Sequence, residues 1–296
     1  MKNKIFSGIM PAMITPINSD GTFRRDAAEQ VIRMEMRHPI DGFYINGATG
    51  EGPILPEKTR MEMAELSVEL VRGKGVIINH IGAPDVQSAV RLAKHAAKIG
   101  CDAISSVMPN FFFKFNMEQI IDYYKRIGEA AGIPIIAYVN GLANQDPIEF
   151  MSKAMEIPEV VGLKYTNYDY YSMHRICELN GGDITVFNGP DELLLCGLIM
   201  GADGGIGSTY NVMPGWFCDL YRAYKDGRIE EAKEIQFKIN KVIPILIKYS
   251  LVPAIKEYFK YFDIDTGYAA YPGKRLTDDE LKAMRIELRE AGLENL

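Results

Sequence analysis

Eight short apolar runs rich in Val, Ile and Ala recur along the chain, each followed by a longer stretch of helical period. This alternation restricts the fold more than any other feature. The runs are expected as strands over 8–15, 42–46, 75–81, 103–108, 134–138, 160–164, 184–188 and 204–208. Amphipathic stretches over 25–36, 58–72, 85–99, 117–131, 148–155, 171–179 and 191–200 fall between them. Strands returning every 20–35 residues or so call for a parallel sheet, because each parallel return needs a crossover. Near-continuous apolar strands also suit a sheet covered on both faces. A closed eight-stranded barrel and an open doubly wound sheet both meet these conditions, and eight units of similar size favour the barrel.

Length fits that choice. A (β/α)8 TIM barrel takes roughly 250 residues, and this chain has 296. Past residue 213 the strand pattern stops and helical stretches follow at 216–225, 229–249, 253–262 and 278–291. We read residues 1–296 as a single domain, with a barrel over about 1–225 and C-terminal helices packed on it over about 226–296. No flexible linker interrupts the chain.

Composition excludes several functions. The formal charge is −6, and the basic residues are scattered, so the basic stripe that nucleic acid requires is missing. Cys101, Cys177, Cys196 and Cys218 form no Cys-x-x-Cys pair and read as small core residues in a reducing compartment. The N-terminus has no apolar signal core, and no apolar run reaches membrane-span length. A cytoplasmic protein without membrane or nucleic-acid partners is expected.

In a barrel the chemistry sits at the C-terminal ends of the strands. Lys164 ends the Val160–Lys164 run and is expected to point into the barrel mouth. Burial lowers a lysine pKa, and a neutral amine is the nucleophile for Schiff-base formation with a carbonyl. The alternative is a lysine that reaches solvent just past its strand. Tyr138, one strand earlier, would neighbour it and could pass a proton, or else cap the top core layer. Gly47-Ala48-Thr49-Gly50-Glu51 offers successive backbone N–H groups and a hydroxyl, a nest for a carboxylate or phosphate. Otherwise it is a plain turn in which Glu51 caps the next segment.

Several separated motifs stand in a common order: residues 8–16 (Gly-Ile-Met-Pro-Ala-Met-Ile-Thr-Pro), Gly47 to Glu51, Tyr138, Gly162-Leu163-Lys164-Tyr165-Thr166, and residues 201–211 (Gly-Ala-Asp-Gly-Gly-Ile-Gly-Ser-Thr-Tyr-Asn). In these the chain resembles the pyruvate-dependent class I aldolase family of N-acetylneuraminate lyase and dihydrodipicolinate synthase. The likeness runs from Phe6 to at least Met213. With residues 187–192 and 204–211 it is most similar to the N-acetylneuraminate lyase branch. The resemblance implies an imine on Lys164, with no metal or organic cofactor, and Tyr138 as proton shuttle. It also implies that Thr49 and the amides around it, Ala48 included, hold the pyruvyl carboxylate. Thr166, Gly189, Asp191, Glu192 and Ser208 would meet the polyhydroxyl part of a sugar acid, as suits groups that accept from many hydroxyls. Asp191 and Glu192 also read as an acidic pair at a helix start. A homotetramer is implied by resemblance alone.

The chain departs from the family pattern at two places. Ala48 stands where a second hydroxyl residue is usual, and the stretch 109–115 carries phenylalanines and no tyrosine. Both losses touch one proton relay, leaving Tyr138 to act alone or through water. The dihydrodipicolinate synthase branch fits less well, because no arginine follows Tyr138 to clamp a second carboxylate. The expected activity is cleavage of N-acetylneuraminate, or of a related sialic acid, to pyruvate and N-acetylmannosamine. Alternatives are an aldolase for another 2-keto-3-deoxy sugar acid, a dihydrodipicolinate synthase-like condensation, or a non-catalytic ligand-binding homologue.

Three further features read as structural. His80 has no metal-ligand partner at suitable spacing and is expected as a hydrogen-bonded core residue. Residues 204–208 do not complete a nucleotide-binding glycine pattern, though a late barrel loop there could bind phosphate. Residues 256–260 read as a solvated basic helix face.

Overall fold

The computed structural model of the protein describes residues 4–109, 113–140, 145–270 and 272–293. Eight parallel strands, β1 (Gly8–Pro11), β2 (Gly42–Ile45), β3 (Val76–His80), β4 (Ala103–Val107), β5 (Ile135–Asn140), β6 (Val160–Thr166), β7 (Thr185–Asn188) and β8 (Gly204–Gly207), pair in the order β1-β8-β7-β6-β5-β4-β3-β2. The seam between β1 and β2 is closed by Asp41 N–H donating to the Ile9 carbonyl at 2.9 Å and Met13 N–H to the Tyr44 carbonyl at 2.9 Å. The result is the (β/α)8 barrel.

The helices are α1 (Arg25–Glu35), α2 (Glu57–Val71), α3 (Val86–Ile99), α4 (Met117–Ala131), α5 (Pro147–Ala154), α6 (Tyr170–Cys177), α7 (Leu194–Ile199), α8 (Pro214–Lys225), α9 (Ile229–Lys248), α10 (Leu251–Tyr258) and α11 (Asp278–Glu290). Their ends follow local chemistry. Asp85 caps α3, and Asn116 with Gln119 forms a capping box on α4, as Thr277 with Glu280 does on α11. Each satisfies amides left unpaired at a helix start.

Two apolar compartments result. Side chains from alternate strand positions, among them Met10, Tyr44, Ile78, Ile136, Phe187 and Ile206, fill the barrel interior. A larger core lies between the strands and the helices. The expected strand boundaries need three corrections. β1 ends at Pro11, not at residue 15, although Ala12 and Met13 N–H still donate to the Gly207 and Tyr44 carbonyls beyond it; β5 continues to Asn140 and β6 to Thr166. Lys164 therefore sits within its strand.

The C-terminal helices close over the barrel, with α9 against α7, α8 and α11. Here the reading of residues 256–260 as a solvated face is wrong. Lys256 is 2% exposed, and its Nζ donates to Glu51 Oε2 at 2.5 Å and to the Tyr268 carbonyl at 2.5 Å. Glu257 is buried too, and pairs with Lys260 and Arg275. The expectation of core cysteines holds for Cys101 and Cys218, while Cys177 is half-buried and Cys196 is exposed. Among the described residues no helix is long and apolar enough to cross a membrane.

Candidate active site

Strand register builds the site from below. Tyr138 of β5, Lys164 of β6 and Phe187 of β7 are paired neighbours around the ring. Lys164 is 6% exposed. Its Nζ lies 4.3 Å from the centroid of the Tyr44 ring and 4.9 Å from that of Tyr138. Tyr44 reaches it from β2 across the barrel, so two aromatic faces enclose the amine where water would otherwise solvate a cation. Burial pushes the Lys164 pKa down to about 8, against an opposing pull from the Asp191 carboxylate. A substantial neutral fraction near physiological pH is what carbonyl attack requires.

The Tyr138 phenol is also raised above its ordinary value by burial. Thr166 Oγ1 lies near it, where it partly opposes that rise, but completes no hydrogen bond of normal geometry. Tyr44, His80 and Tyr138 form a cluster with centroids 6.2–6.4 Å apart, and the Tyr44 hydroxyl shares a hydrogen bond with Ser105 Oγ at 2.9 Å. His80 is the hydrogen-bonded core residue expected: its Nε2 accepts from Val107 N–H at 3.1 Å. Burial, with Arg60 and Lys164 nearby, pushes its pKa down to about 3, so the ring is neutral.

The loop after β2 is a firm structure. Asn46 and Glu51 both adopt left-handed backbone, with φ of 57° each. Thr15 Oγ1 donates to the Gly50 carbonyl at 2.7 Å. The Glu51 carboxylate does not cap the following segment; it takes Lys256 on one oxygen and Ala270 N–H, at 2.8 Å, on the other. A side chain at Gly47 would strike the Tyr44 ring, its Cβ 2.5 Å from the nearest carbon, so glycine lets the loop fold down onto the aromatic cluster. Within the loop Thr49 is buried and Ala48 is exposed. Thr49 Oγ1 and Ser208 Oγ are 2.6 Å apart, joining the loop to the end of β8.

The residues after β6, β7 and β8 converge on the same mouth. Gly189 lies so close to Thr166 that an added Cβ would sit 1.9 Å from its hydroxyl. Asp191, in the short turn Asp191–Leu193, is buried, and its Oδ2 accepts from Thr209 N–H at 2.7 Å and Thr209 Oγ1 at 2.6 Å. Burial raises its pKa to about 6, with the Thr209 hydrogen bonds opposing. Glu192 accepts from the Tyr168 hydroxyl at 2.5 Å, and Tyr168 is 69% exposed.

The structure thus pairs Lys164 with Tyr138, Thr49 with Ser208, and Thr166 with Gly189. Asp191 acts electrostatically on both Lys164 and Tyr138, and Glu192 in turn acts on Asp191. Sequence reasoning missed Tyr44, Thr209 and Tyr168. Tyr44 stands in a run, Phe43-Tyr44-Ile45, whose uniform burial hides which residue faces inward. Of the phenylalanine-rich stretch, Phe111 and Phe112 lie outside the described residues, and Phe113 is exposed. Among the described residues no three His, Cys, Asp or Glu side chains gather as a metal-binding group.

Similarity to known proteins runs along the chain. A profile of the dihydrodipicolinate synthetase family matches residues 5–291. An N-acetylneuraminate lyase of Citrobacter koseri is 33% identical over 265 residues, 88% of each chain. One from Rhizobium meliloti is 31% identical over 283 residues, 94% of this chain and 93% of its own. The solved N-acetylneuraminate lyase of Proteus mirabilis has a TM-score of 0.91 at 26% identity, covering 97% of this chain and 99% of that one. The chain belongs to the dihydrodipicolinate synthetase family.

Proposed function

We propose that this protein is a Schiff-base lyase that cleaves N-acetylneuraminate to pyruvate and N-acetylmannosamine. The observation that carries the proposal is Lys164, buried between the Tyr44 and Tyr138 rings with its pKa pushed down to about 8. The relatives named above supply the substrate: they are N-acetylneuraminate lyases at 31–33% identity along most of the chain.

In this reading the neutral Lys164 amine adds to the C2 ketone of the open-chain sugar acid, and water leaves to give an iminium. The iminium accepts the electron pair of the C3–C4 bond as it breaks, while the C4 hydroxyl gives up its proton and becomes the aldehyde of the amino sugar. The enamine left on Lys164 takes a proton at C3, and water releases pyruvate and the free amine. Tyr138 gives the proton that leaves with the C2 oxygen, takes up the C4 hydroxyl proton as the bond breaks and returns it at C3. Thr49 and the amides around Ala48 hold the carboxylate, and Thr166, Gly189, Asp191, Glu192 and Ser208 line the path of the hydroxylated chain. The lysine is itself the electron sink, so no bound cofactor is required. Four copies of the chain form the working assembly in this reading, by likeness to the family.

Borohydride trapping tests the chemistry. Incubation with pyruvate and borohydride should leave a reduced adduct on Lys164, and Lys164→Ala should leave none. No adduct in the native chain at saturating pyruvate would remove the proposal. Release of pyruvate from N-acetylneuraminate then tests the substrate. Trapping together with inertness to that sugar, but turnover of a simpler 2-keto-3-deoxy acid, would move the activity to the latter.

A further inference from the structure

Outside the strand ring, between α1 and the C-terminal helices, lies a cavity of about 450 Å³. None of the residues proposed for the reaction lines it. Its wall includes Glu35 at the end of α1, Trp216 in the first turn of α8, Tyr258 of α10 and the nearby Phe262. Lys238 of α9 stands on its exposed side, with Nζ 3.7 Å from the centroid of the Trp216 ring.

Glu35 is the unexplained group. It is 1% exposed, and among the described residues neither carboxyl oxygen has a hydrogen-bond partner. The Tyr258 hydroxyl donates to the Val212 carbonyl at 3.2 Å instead. A buried carboxyl with no donor is costly to keep, and burial holds its pKa well above the usual range. A protein that needed only packing here would be served by an apolar side chain.

We propose that this cavity is a second ligand site, taking a compact primary ammonium with an apolar body. The ammonium meets Glu35, and the body lies against Trp216, Tyr258 and Phe262. Two features favour a cation. Among the described residues neither a counter-charge nor a hydrogen-bond donor answers the carboxyl, and the aromatic faces in the same wall attract cations, as the Lys238 ammonium over Trp216 illustrates. An ammonium would favour the ionised carboxyl, which burial alone disfavours. The volume lies within the range of small-molecule sites. The site also adjoins the reaction machinery: Asn211, another wall residue, donates through Nδ2 to the Ser208 carbonyl at 2.7 Å.

Trp216 is the sole tryptophan of the chain, so its fluorescence reports the cavity directly. Cyclohexylmethylamine, transparent where tryptophan is excited, should give a saturable change in the native chain. Cyclohexylmethanol, its neutral counterpart, should bind at least about tenfold more weakly, because it forgoes the charge-assisted hydrogen bond. Glu35→Gln should weaken the amine by a similar factor while still forming the pyruvate adduct on Lys164, which shows that the fold is intact. Equal binding of amine and alcohol, undiminished amine binding in the variant, or only a linear, non-saturating response would overturn the proposal. The amine–alcohol comparison uses the native chain and stands even if the variant does not fold.

Discussion

Lys164 carries two opposed consequences of one burial. Its pKa of about 8 in the folded chain, against an ordinary 10.5, means that the initial rate of pyruvate adduct formation should rise about tenfold per pH unit below 8 and level off above it. Initial rates of borohydride trapping from pH 6 to 9.5 would measure this. The stability effect has the reverse sense. The folded state releases a proton that the unfolded state keeps, so the burial penalty is full below pH 8 and vanishes above 10.5. Lys164→Met should therefore stabilise the chain by up to about 3 kcal/mol at pH 7 in urea unfolding, with the gain lost near pH 11. Ser208 offers a finer test. Its hydroxyl touches Thr49 at 2.6 Å, so it orients the proposed carboxylate-binding hydroxyl as well as facing the sugar. Ser208→Ala should raise the pyruvate concentration for half-maximal adduct formation roughly fivefold, the loss of about one net hydrogen bond. A residue serving the sugar chain alone would leave that concentration unchanged.

At the scale of elements, the buried pair Glu51–Lys256 ties the loop after β2 to α10. Either Glu51→Gln or Lys256→Met leaves one charge or donor buried without its partner, and should cost about 3–5 kcal/mol in urea unfolding. Each should also raise the pyruvate requirement, because the loop that carries Thr49 loses its anchor. Replacing both residues by apolar ones should recover part of the stability. This link was not legible in the sequence, whereas the strands and helices were. Patterning is a local signal: the switch between a short apolar run and a 3.6-residue period marks each element within a few residues, as the eight strands and the helices α1 to α11 bear out. The pairing of Lys256 with Glu51 spans 205 positions, and nothing in the segment Lys256–Lys260 tells a buried lysine from a solvated one. The candidate site was legible to the same degree. Lys164 and Tyr138 are placed by strand position, which the sequence carries, and the barrel rule supplies the rest. Tyr44, opposite them, depends on which face of an all-apolar strand turns inward, and Thr209 depends on where the β7 turn brings Asp191.

Taken whole, the molecule is read as one cooperative body in which barrel and C-terminal helices share a core. The apolar side chains of α8, α9 and α10 belong to the same cluster as those between strands and helices. A chain ended after Lys225 would expose that surface and strip Glu51 of its partner. It should fail to give a folded, soluble product, whereas the full chain should show a single calorimetric transition. Two resolved transitions, or a stable truncated barrel, would make the C-terminal helices a separate unit. Light scattering would show whether four copies assemble.

The Glu51 anchor also bears on when the protein becomes active during its own synthesis. All eight strands, with Lys164 and Tyr138, have left the ribosome before Lys256 and Ala270 are made. A nascent chain that already holds every strand therefore still lacks the fastening of the carboxylate-binding loop. Full affinity for a keto acid thus waits on residues made near the end of the polypeptide, long after the lysine that would react with it.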